Sequence, residues 1–393
     1  MKRMAAGSLL IAFASLTNCS ISGMTEHNPT DGGAGAAGHA ADGLGGSGLD
    51  TGGRSSTTRP IEAGAPSLTS GGAPGEPAAI AAGAGAGGDA GGQAAAGSAG
   101  EPNEPQPSCV GLTPTCGADD DDNCCAAALV PAGKFNRSSD AASPATLSAF
   151  RLDNYEVTVG RFRRFVATYT QDMIAEGAGS NPNDAADTGW DTAWNAKLPK
   201  DAAALKLSLL CDQTQPVPSD APYNTWQGGN DNRPINCVDW YVASAFCAWD
   251  GGRLPTEAEW NYAAAGGNEQ RTRPWGEAPL GHDATLAAYG CYYGSNGTCI
   301  GVANIAPVGS IPAGHAKWGQ LDMLGNLWEW TRDAYADPYA KPCVDCAALG
   351  TGGDRTYRGG GFVDNAQTTT ALRGHAVNHA SHNIGIRCAR AAE

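Results

Sequence analysis

No Phe, Trp or Tyr occurs between Phe13 and Phe135, and a stretch that long without aromatics holds too little apolar area to form a packed core. Positive charge is also scarce. The 393 residues carry 25 Lys and Arg against 40 Asp and Glu, a net charge of −15. Neutralising phosphates needs clustered cations, so this balance excludes a nucleic-acid binder. No Lys-bearing phosphate loop is present either, because Arg358-Gly359-Gly360-Gly361-Phe362 lacks both the Lys and the helix-opening Gly spacing. Strands and helices do not alternate in the pattern, which excludes a doubly wound nucleotide-binding sheet.

What is present is concentrated at the C-terminal side. All ten Trp lie between Trp190 and Trp330, so the folding unit is roughly the last 260 residues, enough for one sizeable domain. At the other end, Lys2 and Arg3 precede the short apolar run 9–13, and Cys19 follows Leu16, Thr17 and Asn18. Residues 1–19 read as an export signal too short for a stable membrane span. Cys19 sits where a lipobox cysteine would carry lipid, although Asn18 departs from the small residue usual before it. The expectation is an extracytoplasmic protein, lipid-anchored at an outer membrane or cell surface. Residues 20–107 are rich in Gly and Ala and read as a disordered tether, because ordering costs about 1–2 kcal/mol per residue and this composition offers little burial to offset it.

Twelve of the 13 Cys follow Cys19. An even number in an exported chain favours disulfides over thiols or zinc. Cys109, Cys116, Cys124 and Cys125 crowd a segment, 108–126, around the Asp run 119–122, which is expected to be a solvated acidic turn rather than a calcium loop. Cys291 and Cys299 flank Asn296-Gly297, a tight-turn signal, so a hairpin disulfide is expected there.

Three helices are legible. Thr158 caps a stretch with Phe162, Phe165, Val166 and Tyr169 on one face. Asp239 caps another carrying Trp240, Ala243, Phe246 and Cys247, stopped by Gly251-Gly252. Thr256-Glu257-Ala258-Glu259 is a capping box that opens a third, expected to run to Gly266-Gly267. The weak alternation of Ile384, Ile386 and Cys388 suits a short closing strand.

Eight ordered blocks carry a family resemblance. They are Asp153-Asn154-Tyr155-Glu156-Val157-Thr158, Arg233-Pro234-Ile235-Asn236, Gly252-Arg253-Leu254-Pro255-Thr256-Glu257-Ala258-Glu259-Trp260, Arg273-Pro274-Trp275-Gly276, Ala303-Asn304-Ile305, Gly325-Asn326-Leu327-Trp328-Glu329-Trp330, Arg358-Gly359-Gly360 and Gly385-Ile386-Arg387-Cys388. Together they resemble the formylglycine-generating enzyme, or sulfatase-modifying factor, family over residues 127–391. The resemblance implies an α+β, C-type-lectin-like fold with little regular secondary structure.

It also implies particular site residues. Cys247 and Cys388 match a disulfide of the animal enzymes, while a second bridge of those enzymes falls on Ala264 and Gly374 here and is absent. Asp322, Gly325, Leu327 and Glu329 match a calcium site that joins two carboxylates with backbone carbonyls, as a hard cation requires. Asn304 and Ile305 match part of a first calcium site whose other ligands fall in a loop deleted before Pro307, leaving it incomplete. Active members of the family oxidise a substrate Cys to formylglycine with a Cu(I)-binding Cys pair, and the two positions fall on Asp364 and Thr369. Oxygen ligands hold Cu(I) weakly, so copper is not expected here.

Three features of the sequence could substitute for that pair. Cys343-Val344-Asp345-Cys346 is a CxxC that reads better as a structural disulfide than as a redox or copper site. His375, His379 and His382 read as loop histidines, although iron-using relatives of this fold gather His for metal. Asp364 could serve a different acid–base chemistry. The reading is an exported sulfatase-modifying-factor-like protein without formylglycine-generating activity. The alternatives are a binding module for an extended polypeptide or glycan, and an oxidoreductase with a non-copper metal site.

Overall fold

The computed structural model describes residues 106–211, 223–350 and 352–392. The expected signal segment, Cys19 and residues 20–105 of the expected tether lie outside the described residues, while Gln106 and Pro107, expected in the tether, are ordered, Pro107 opening a short 3-10 helix. Short elements follow from the density of Gly and Pro, which interrupt both helix and ladder bonding. Strands β1 (Ala127–Val130) and β4 (Phe150–Asp153) pair antiparallel, with a hairpin of β2 (Gly133–Asn136) and β3 (Pro144–Leu147) between them in sequence. Helix α1 (Val159–Thr168) is followed by α2 (Ala202–Ser208), α3 (Trp240–Trp249) and α4 (Glu257–Ala264). A second sheet runs in the order β7-β6-β5-β8, made of β5 (Trp328–Ala334), β6 (Arg355–Arg358), β7 (Arg373–Ala376) and β8 (Ile384–Gly385). Finally, β9 (Ala389–Ala391) returns to pair with β4. Among the described residues no helix is long and apolar enough to cross a membrane.

The three expected caps form. Thr158 accepts from the Arg161 amide at 3.2 Å, Asp239 from Val242 at 2.9 Å, and Thr256 and Glu259 close a reciprocal box at 3.1 and 2.8 Å. Helix α4 stops at Ala264, short of the expected Gly pair, because Gly266 takes the left-handed conformation (φ 66°) that terminates it. Helix α2, capped by Asp201, was not expected. The closing segment also differs from expectation. Instead of one strand it divides its bonding, with β8 parallel to β5 and β9 antiparallel to β4.

Two cores hold these layers together. In the larger, α1 and α3 interlock through Phe162 stacked on Phe246 at 5.4 Å, with Phe165 edge-on to Phe246 at 5.7 Å. In the smaller, Trp260 and Tyr262 of α4 pack beneath Phe135, Leu147, Phe150 and Leu152 of the first sheet and hairpin. Below the larger core lies an ionic knot. Arg161 donates to Asp153 at 2.8 Å and to Asp250 at 2.6 Å, with no exposure on any of the three side chains, and Arg390 bridges the same two aspartates. Such a knot survives burial only because every charge is answered and hydrogen bonded.

The Cys-rich segment belongs to this body. The Ser108 amide donates to Asp250 at 2.9 Å, and Gln106 accepts from Arg161 at 3.1 Å. Residues 106–109 are thereby packed against the same body as helices α1 and α3. The Asp run forms the expected exposed turn, closed by the Cys116–Asp122 bridge. All twelve downstream cysteines are paired, as Cys109–Cys125, Cys116–Cys124, Cys211–Cys237, Cys247–Cys388, Cys291–Cys299 and Cys343–Cys346. Cys291–Cys299 forms without hairpin strands, since the loop is organised by the buried Asn304 side chain. That side chain donates to the carbonyls of Cys291 (3.1 Å) and Tyr293 (2.8 Å) and accepts from Ile300 at 2.6 Å.

Candidate functional site

Strand β5 and the loop that follows β6 build the candidate site. Trp328 opens β5 with its indole turned toward the loop, where the N–H donates to the Asp364 carboxylate at 2.7 Å. The Gly361 amide donates to the same oxygen at 2.6 Å, and Asn383 adds a side-chain hydrogen bond. Burial raises the Asp364 pKa, opposed by these three bonds. Asp364 is thus a positioning residue that fixes the Trp328 ring, and all its bonds are to groups of the protein. Gly361 must lack a side chain here, because a Cβ would lie 2.0 Å from Asn383 Oδ1. Around this centre, Tyr357 meets Trp328 edge-on at 5.0 Å, and His382 stacks on Tyr223 at 5.2 Å and leans on Phe362.

Thr369 does not join Asp364 in a shared bonding arrangement; its carbonyl accepts from the Leu372 amide in a turn. The three histidines are dispersed in their bonding. His375 on β7 pairs with Asp354 at 2.6 Å and stacks on Tyr335, His379 is exposed against the Val377 carbonyl, and His382 lies on Tyr223. Among the described residues no group of three His, Cys, Asp or Glu stands ready to hold a metal ion. Asp364 and Thr369 present a carboxylate and a hydroxyl, and every described cysteine is in a disulfide.

Beneath β5 lies a second arrangement. Glu329 is held by Arg387 at 2.8 Å and by the Trp260 indole at 2.7 Å, so both of its oxygens are engaged. Glu156 accepts from Asn326 at 2.6 Å and from the Leu327 amide at 3.0 Å. Asp322 accepts from the Gly309 amide at 2.6 Å. Burial first, and then the charges of Asp322 and Glu329, push the Glu156 pKa well up. Asp322 is pushed up to about 6, chiefly by burial, with Gly309 and Arg387 opposing. Three buried acids therefore face one arginine. Glu156 was not singled out from the sequence as a site residue, although an acid between Tyr155 and Val157 at the start of a helix cap was a visible signal.

The residues matched to the incomplete first calcium site, Asn304 and Ile305, lie just after the loop closed by Cys291–Cys299. The Asn304 side-chain oxygen is taken by Ile300, and Ile305 is fully buried against Leu327 and Phe362. Likewise the missing second disulfide has a steric counterpart, because a Cβ at Gly374 would meet the Tyr357 ring at 1.9 Å.

Residues 114–392 match the family model for a sulfatase-modifying factor enzyme 1-like domain. A formylglycine-generating enzyme of Streptomyces coelicolor is 37% identical over 175 residues, which cover 42% of this chain and 55% of that protein. An inactive C-alpha-formylglycine-generating enzyme 2 of Mus musculus is 29% identical over 285 residues, covering 67% of this chain and 85% of the relative. Among solved structures, PvdO of Pseudomonas aeruginosa aligns with a TM-score of 0.45 at 22% identity, over 68% of this chain and 95% of that one.

Proposed function

Because the chain belongs to the sulfatase-modifying factor enzyme 1-like family, we propose that it is an exported member that has lost formylglycine formation and uses the surface around Trp328 and Asp364 to bind an extended polypeptide. The observation that carries this reading is the Asp364 carboxylate in the place of the first copper-binding cysteine, already hydrogen bonded to Trp328. A soft monovalent ion has no thiolate pair there. Support for binding comes from the convergence of Trp328, Tyr357 and His382 around polar groups, and from Asn383 Oδ1, buried without a hydrogen-bond partner. A ligand N–H would satisfy that acceptor. The similarity to the mouse inactive C-alpha-formylglycine-generating enzyme 2 supports the loss.

The deciding experiment incubates the purified protein with copper, oxygen and a Cys-containing sulfatase peptide, followed by mass spectrometry. No aldehyde is expected, and formylglycine in the peptide overturns the reading. Quenching of tryptophan emission by the unreacted peptide, lost in Asp364→Ala, tests binding; quenching by glycans alone would reassign the ligand class.

We also propose calcium at Asp322, Gly325, Leu327 and Glu329, where the ion would take the place of bonds that Arg387 and the Trp260 indole make to Glu329 and would offset the buried charge of Asp322 and its neighbour Glu156. Metal analysis after dialysis should give calcium without copper or iron, and a chelator should lower the melting temperature. Tightly held copper or iron would favour an oxidoreductase. Attachment to a membrane through lipid on Cys19 is part of the same proposal, tested by fatty-acid labelling that Cys19→Ala should abolish.

A further inference from the structure

An open groove of about 990 Å3 runs between the β2–β3 hairpin and residues 341–344, and neither Trp328 nor Asp364 lines it. Lys134 and Lys341 lie on its walls, Phe135 and Thr146 also line it, and Cys343 faces it. Cys343 is bonded to Cys346, three residues on, whereas the other bridges close 8, 8, 16, 26 and 141 residues. So short a ring constrains the unfolded chain least, which makes it the weakest of the six as a structural crosslink.

The two sulfurs are chemically unequal. Arg137, 4% exposed, directs one guanidinium N–H at Cys346 Sγ across 3.6 Å while another is fixed by the Ala340 carbonyl at 2.8 Å. A cation beside Cys346 stabilises its thiolate and makes it the better leaving group. Cys343 lines the groove at 5% exposure and has no cation on its sulfur, whereas Cys346 beside Arg137 is partly buried. The intervening backbone is anchored independently of the S–S bond: Asp345 accepts from the Ser148 amide at 2.6 Å and hydroxyl at 2.8 Å, and Thr146 exchanges backbone bonds with Cys343 and Asp345 at 3.0 and 2.9 Å. Opening the bridge would leave these backbone and Asp345 bonds in place while the two sulfurs move apart.

We propose that Cys343–Cys346 is a thiol–disulfide exchange site for polypeptide thiols, attacked at Cys343 from the groove. The incoming thiolate forms a bond to Cys343 Sγ, and Cys346 departs as the thiolate beside Arg137. A second thiol of the same polypeptide then attacks its own mixed-disulfide sulfur and releases Cys343. The substrate dithiol loses two electrons and two protons, and the protein disulfide gains them. Lys134 and Lys341 favour thiols in acidic sequence and raise the thiolate fraction of the incoming group.

The test uses the full chain in glutathione buffers of graded ratio, with alkylation and peptide mass mapping. The Cys343–Cys346 pair should open at a reducing ratio about tenfold milder than the other five bridges, with the near-ultraviolet circular dichroism unchanged. In the single variants, Cys346 of Cys343→Ser should alkylate with a lower pH midpoint than Cys343 of Cys346→Ser, and adding Arg137→Gln should raise the Cys346 midpoint. Opening of the pair only together with global unfolding would overturn the proposal without any variant. Equal midpoints in the two single variants would overturn the assignment of Cys346 as the leaving thiolate.

Discussion

The Trp328 indole and the Asp364 carboxylate are locked together at 2.7 Å, with the Gly361 amide on the same oxygen. A carboxylate at this position is a structural tie. Replacing it by Ala leaves a largely buried indole N–H and a backbone N–H unpaired, so Asp364→Ala should cost about 2–3 kcal/mol in urea unfolding. Thr369→Ala, which removes no side-chain bond seen in the structure, should stay within about 0.5 kcal/mol of the parent.

Arg161 and Arg163 stand two residues apart on α1 and differ in environment. Arg161 is buried between Asp153 and Asp250, whereas Arg163 meets Asp231 with exposures of 35% and 62%. Arg161→Met should lose roughly 3–5 kcal/mol because two buried carboxylates lose a partner. Arg163→Met should change stability by no more than about 1 kcal/mol. Chemical denaturation of the pair compares them directly.

Asp333 receives the amides of Glu257 and Ala348 at 2.7 and 2.8 Å, yet burial and the nearby Glu257 charge push its pKa up to about 7. A raised folded pKa means that its contribution is full below about pH 4, the unfolded value, and is lost as pH rises through about 7. Asp333→Asn abolishes that titration. The stability of the parent minus that of Asp333→Asn should therefore fall between about pH 4 and pH 8, measured by thermal melts across the range. A flat difference would contradict the assignment.

Removing Cys247–Cys388, which closes a separation of 141 residues, should destabilise by about 5 kcal/mol in the chain-entropy model. Removing Cys291–Cys299, with a separation of 8, should cost about 2.5 kcal/mol. Paired Cys→Ser variants in denaturant titrations give the order.

The parts of the fold governed by local chemistry were legible in the sequence. Thr158, Asp239 and Thr256 each supply a cap oxygen within three residues of the amide it accepts, and the sequence places both partners side by side. The family blocks identified the fold and the Cys247–Cys388 bridge by resemblance. Strands of four residues such as β1 and β6 were not legible, since a run so short has no measurable alternation. The charge knot and the Glu156–Asn326 bond were hidden for another reason: their partners lie 89 and 170 residues apart, where only the folded chain brings them together. Asp364 was identified as a departure from the family, but its bond to Trp328 was not foreseen.

The anchoring of residues 106–108 has a mechanical consequence. Gln106 and Ser108 are fastened directly to Arg161 and Asp250, and Cys109–Cys125 closes the stretch just behind them. Tension applied to the polypeptide upstream is delivered to the deepest ions of the protein rather than to a loose flap. The segment acts as a mooring, and dragging it free requires prising the end of helix α3 from its seat.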